Sequence, residues 1–101
     1  MESRAVIFIH DREDKLWLYE PKNGCPSGVG EQIMNYVMNV RYSEEPTAKK
    51  VYEDLLNTYQ PLEDYKIPCE WRYDLWVGAD SIVYACEDTE DGEQFRIYKK
   101  I

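Results

Sequence analysis

Ala5-Val6-Ile7-Phe8-Ile9 is a continuous apolar run of strand length, rich in β-branched residues. A run without alternation predicts a strand covered on both faces, and therefore a place in the middle of a sheet. The rest of the chain must be arranged around it. Asp11-Arg12-Glu13-Asp14 reads as a polar turn and Leu16-Trp17-Leu18-Tyr19 as a second strand, so the two form a hairpin by proximity. Pro21 ends it, because proline cannot donate to a ladder.

Lys22 to Gly30 reads as a loop carrying Gly24, Pro26, Gly28 and Gly30. Ile33, Met34, Val37, Met38 and Val40 then recur at helical spacing and predict a helix from Glu31 to Tyr42. Ser43-Glu44-Glu45-Pro46 breaks that pattern and restarts it with a capping serine, first-turn acids and an N-terminal proline. Ala48, Val51, Tyr52, Leu55, Leu56 and Tyr59 fall on one face of the second helix, with Lys49, Lys50, Glu53, Asp54 and Asn57 on the other. A linker from Gln60 to Pro68 leads back to the sheet. There Trp71, Tyr73, Leu75 and Val77 alternate with Arg72, Asp74 and Trp76, the period of a half-buried strand. After the turn Gly78-Ala79-Asp80 comes a strand at Ile82–Cys86. Asp91-Gly92 signals a hairpin, and Phe95-Arg96-Ile97-Tyr98 closes an edge guarded by Lys99 and Lys100. The expected fold is one α+β domain spanning residues 1–101: a mostly antiparallel sheet of about five strands in the order β-β-α-α-β-β-β, both helices on one face.

A chain of 101 residues has room for one core. With 20 acidic against 12 basic residues its net charge is −8, so free nucleic acid and anionic membranes are poor direct ligands. The charge favours a basic partner, though acidity of this size also serves solubility alone. The cysteines Cys25, Cys69 and Cys86 stand singly, and Met1-Glu2-Ser3-Arg4 runs straight into a strand with no apolar leader segment. Both features predict a reducing, cytoplasmic setting.

Several motifs invite a chemical reading. Gly24-Cys25-Pro26-Ser27-Gly28-Val29-Gly30 connects strand to helix, where amides can meet a phosphate, with Lys22 as the nearby cation. Lys22, Gly24, Ser27, Gly28 and Gly30 are thus candidate ligand-binding residues, but the segment matches neither a P-loop nor GxGxxG, and a tight structural turn explains its glycines as well. His10, the sole histidine, has Asp11 and Asp14 as sequence neighbours for acid–base work, but no nucleophile is selected beside it. His10, Cys25, Cys69 and Cys86 lack the spacing of a zinc site, so no metal or cofactor is expected. The acids group as Asp11/Glu13/Asp14, Glu44/Glu45, Glu63/Asp64 and Glu87/Asp88/Glu90/Asp91/Glu93; as solvated loops they need no function. Sharing a face, they would mimic nucleic-acid phosphates or steer a basic partner. Of the strand aromatics Trp17, Tyr19, Trp71, Tyr73 and Trp76, those away from the helices would form an exposed patch with Arg72 and Asp74.

Two stretches carry a resemblance. The opening Met1-Glu2-Ser3-Arg4-Ala5-Val6-Ile7 and the segment Tyr19–Gly30 are similar to small proteins of phages and prophages that begin M-S-T-R-A-V-I and continue Tyr-x-His-Trp-Asp-Gly-Tyr-Pro-x-x-Val-Gly. Tyr19, Gly24, Pro26, Val29 and Gly30 stand where that pattern places them. Pro21-Lys22-Asn23 replaces its His-Trp-Asp, and Cys25 its second tyrosine. The resemblance covers the first third of the chain and implies a mobile-element origin, with no activity to carry over. The expectation is a non-enzymatic viral protein that binds a basic host factor, of host defence or nucleic-acid handling, through Glu87, Asp88, Glu90, Asp91, Trp76 and Arg72, with a homodimer also open to it. The alternative is a nucleotide- or phosphate-sequestering protein built on the glycine loop.

Overall fold

A computed structural model describes residues 3–42, 44–63 and 66–101. The elements run β1 (Ala5–His10), β2 (Lys15–Glu20), α1 (Glu31–Asn39), α2 (Ala48–Leu55), β3 (Gln60–Pro61), β4 (Trp71–Val77), β5 (Ser81–Asp88) and β6 (Gly92–Lys100). The strands form one mixed sheet of six in the order β3-β2-β1-β4-β5-β6. The α+β class and single sheet are as expected; the strand beyond the expected five is β3, inside the stretch read as linker. There Pro61 pairs with Leu18 at the sheet edge, a position where a missing amide costs little.

β1 is central, antiparallel to β2 and parallel to β4. Its inward residues Ala5, Ile7 and Ile9 are fully buried with Leu18, Tyr73, Leu75, Ile82 and Tyr84 under the two helices. Its other face is covered differently from the reading of a strand sandwiched between layers. Val6 is buried, but Phe8 and His10 are only half-buried, shielded by neighbouring strand side chains. Among the described residues, no helix is long and apolar enough to cross a membrane.

The helix boundaries differ from the periodic reading for local reasons. Pro26–Gly30 already forms a π-helical turn, continuous with α1. α1 stops at Asn39, short of Tyr42, because Val40 turns extended (φ −65°, ψ 140°). The Lys99 ammonium then donates to the Met38 and Val40 carbonyls at 2.6 and 3.2 Å, satisfying acceptors that the helix end leaves open. α2 is capped by Thr47, whose hydroxyl accepts from the Lys50 amide at 3.1 Å, and the preceding Pro46 is buried. Ser43, the expected cap, and Asp64 of the linker acids lie outside the described residues.

Candidate functional site: the uncovered sheet face

Alternation along the strands sends one set of side chains to the helices and the other to an uncovered face. Register aligns the second set in rows across the sheet. Tyr19, Val6, Arg72 and Glu87 form one row, Trp17, Phe8, Asp74, Ala85 and Arg96 the next, and Lys15, His10, Trp76, Val83 and Tyr98 the third. The small side chains of Val83 and Ala85 along β5 lie low between the Phe8–Trp17 and Trp76 rings on one side and Arg96 on the other. The result is an open groove of about 910 Å³.

Its wall is aromatic. The Phe8 ring stacks on His10 (centroids 4.1 Å apart, planes within 5°) and on Trp17 (5.2 Å, 11°). Trp76 meets His10 edge-on at 4.9 Å and is 39% exposed. His10 Nε2 lies 2.7 Å from Asp74 Oδ1, with the histidine side chain 17% and the aspartate 49% exposed. The carboxylate that His10 meets is thus Asp74 of β4, not its sequence neighbours Asp11 or Asp14. Asp11 instead accepts from the amides of Glu13, Asp14 and Ala48, each near 2.8–2.9 Å, closing the β1–β2 turn and tying it to the start of α2. These bonds, that from Ala48 first, hold the Asp11 carboxyl below its ordinary range.

The structure gathers three of the six proposed contact residues, Arg72, Trp76 and Glu87, in this groove. Arg72 stands opposite Glu87 in register, and Arg96 donates to Glu93 at 2.8 Å. Asp88 serves the hairpin itself, since its Oδ1 accepts from the Glu90 amide at 2.8 Å and holds the β5–β6 turn. Glu90 and Asp91 are exposed at that hairpin tip, beyond the Glu87 end of the groove. Gly92 there has φ +91°, a left-handed conformation that completes the turn. Trp17, one of the strand aromatics expected for an exposed patch, joins the site; so do Lys15, Phe8 and Arg96, which no local pattern singled out and which only the pairing of their strands brings to this face.

The glycine loop lies elsewhere. Gly24, Gly28 and Gly30 are buried, and the amides of Gly28 and Val29 already donate to the Cys25 and Asn23 carbonyls, both at 2.9 Å. The Gly30 amide donates to the Cys25 carbonyl at 3.3 Å, while Ser27 and Lys22 stay exposed. The Tyr73 hydroxyl donates to the Gly24 carbonyl at 2.6 Å and the Tyr84 hydroxyl to the Gly30 carbonyl at 2.9 Å, both buried. The loop is thereby bolted to the underside of the sheet. Replacing Tyr73 by phenylalanine leaves the Gly24 carbonyl buried without that donor, and we expect a loss of roughly 1.5 kcal/mol in denaturant unfolding. A loss below a few tenths would show that the tyrosine bond does not secure the loop.

Cys86 is buried in the core, which pushes its thiol up to about 11, the behaviour of a packing residue and not of a nucleophile. Among the described residues no group of three or more histidine, cysteine or acidic side chains is placed to hold a metal ion. No protein-family model, curated protein or solved structure matches this chain.

Proposed function

We propose that the chain is a non-enzymatic binding module that docks its uncovered sheet face and the adjoining acidic hairpin against a basic protein surface and occludes it. The observation that supports this reading most is the groove itself. It sets the exposed Trp76 two residues along β4 from the Asp74 carboxylate and holds Glu87 and Glu93 at its other end, in a chain of net charge −8. Aromatic rings in a desolvated contact supply binding energy, and carboxylates around them select and steer a positively charged partner. The cations that line the groove do not reverse that preference, since Arg96 is paired with Glu93, Arg72 stands opposite Glu87 in register and Lys15 sits in the row of His10 at the other end, while the adjoining hairpin adds further acids. Proteins that handle nucleic acid carry basic grooves of the kind such a surface would block, and the resemblance of the first third of the chain to phage proteins suits a host target.

Capture of partners from a bacterial lysate by the tagged chain, washed at low and then high salt, supplies the binding pair for the test. Trp76→Ala is expected to weaken that pair at least tenfold, about 1.4 kcal/mol. Reversing Glu87, Glu90 and Asp91 to lysine is expected to weaken it further and to flatten its salt dependence. Affinity and salt dependence that both survive these changes would overturn the reading. Nothing in the placement of the glycine loop, with its amides engaged and its carbonyls bound by tyrosine, favours the nucleotide alternative.

A further inference from the structure

We infer that the groove recognises an arginine side chain of its partner, with the Asp74 carboxylate as the anchoring acceptor and the Trp76 ring as the stacking surface. The inference rests on the reading of this face as the docking surface for a basic protein and names what that surface selects.

Asp74 stands mid-groove on β4, between the rows that hold Arg72 and Trp76. Its Oδ1 is fixed by His10 Nε2 at 2.7 Å, and His10 is itself fixed between Phe8, face-on at 4.1 Å, and Trp76, edge-on at 4.9 Å. The carboxylate is therefore oriented before any ligand arrives, while about half of the Asp74 side chain (49%) stays exposed. A preoriented acceptor avoids part of the ordering cost of binding. The remaining charges of the groove are placed away from it or answered. Arg96 is paired with Glu93, Arg72 stands opposite Glu87 in register, and Lys15, which also lines the groove, stands in the row of His10 on β2, two strands from Asp74.

The ligand chemistry follows from these neighbours. A carboxylate alone accepts lysine and arginine alike. A carboxylate beside flat, partly exposed indole favours the guanidinium, which is planar, more weakly hydrated than an ammonium and able to stack on a ring while its edge donates to the acid. A compact ammonium meets a ring face only as a strongly hydrated point charge, with no plane to stack while it donates to the acid.

The test is an NMR titration of the whole chain, reading the indole and backbone amide signals, with N-acetyl-arginine amide, N-acetyl-lysine amide and a single-stranded tetranucleotide as probes. The arginine amide is expected to shift the Trp76 indole and the amides around Asp74, with at least threefold higher affinity than the lysine amide. Asp74→Asn is expected to remove that difference. Equal affinities for the two amides, no shift with either, or an arginine preference indifferent to Asp74→Asn would overturn arginine recognition. The docking reading would still stand if its captured partner kept its dependence on Trp76 and the acidic hairpin. The comparison of the two amides needs no variant, so a poorly folded Asp74→Asn protein leaves the inference open to refutation. Shifts on this face from the tetranucleotide in place of the amides would overturn both readings and assign the stacked rings to bases.

Discussion

Gly24→Ala should unfold at a markedly lower temperature than the parent, by roughly 15 °C, corresponding to about 3 kcal/mol for a domain of this length. The reason is space. A Cβ at residue 24 would lie 2.7 Å from the Ala5 nitrogen and 2.7 Å from the Arg4 carbonyl carbon, both backbone atoms of the strand entrance. Backbone cannot swing aside as a side chain can, so the loop and the start of β1 must separate, and overpacking of this kind sits at the upper end of its usual cost. The Gly24 amide bond to the Ser3 carbonyl (2.8 Å) and the Tyr73 bond to the Gly24 carbonyl would be strained with it. Gly28→Ala drives its new methyl against the Asn23 carbonyl oxygen, again a backbone atom, and should behave similarly. Calorimetry or a thermal circular-dichroism scan decides the matter. A Gly24→Ala shift of less than about 3 °C, under 1 kcal/mol, would mean that the loop closes over β1 less tightly than the structure has it.

Asp11→Ala should cost about 2 kcal/mol, at the high end for a lost helix cap, because one carboxylate serves both the β1–β2 turn and the first amide of α2. The same residue predicts a pH dependence. Its folded-state pKa lies below the ordinary 3.8, so its stabilisation is present above the unfolded value and is lost as pH falls through the lower folded one. Denaturant unfolding between about pH 5 and pH 2 should therefore show an acid-side decline that is shallower in Asp11→Ala than in the parent. Parallel declines in the two proteins would assign the acid sensitivity to other carboxylates.

Much of the architecture was legible because it is written in short-range periodicity. β1 is plain from an unbroken apolar run, the amphipathic face of α2 and the alternation of β4 each follow from one repeat, and the last also predicted that Arg72, Asp74 and Trp76 share the face turned from the helices. What periodicity cannot carry is pairing across distance. His10 finds Asp74 only because β1 lies parallel to β4, a contact between residues far apart in the chain, whereas Asp11 and Asp14 were its visible neighbours. Helix ends failed for a related reason. α1 is stopped at Val40 with Lys99 of β6 binding its last carbonyls, and α2 starts where Thr47 and Asp11 together supply acceptors. The glycine loop kept a ligand cradle open beside the structural turn, because its sequence shows the amides but not the carbonyls that accept from them or the tyrosines that bind its own carbonyls.

The parallel neighbour of β1 has a bearing on how the chain is made. A ribosome releases β1 and β2 early, and they can close on each other at once, but Ala5–His10 meets Trp71–Val77 only after the helices and the linker have emerged. Until then one edge of the central strand is open and Ile7, Ile9 and Leu18 lack their cover, a state prone to sticking to other nascent chains. Such long-range closure slows folding relative to a plain hairpin stack. Expression at low temperature, or beside a chaperone that shields hydrophobic strands, is the condition under which this protein should be recovered in its folded form.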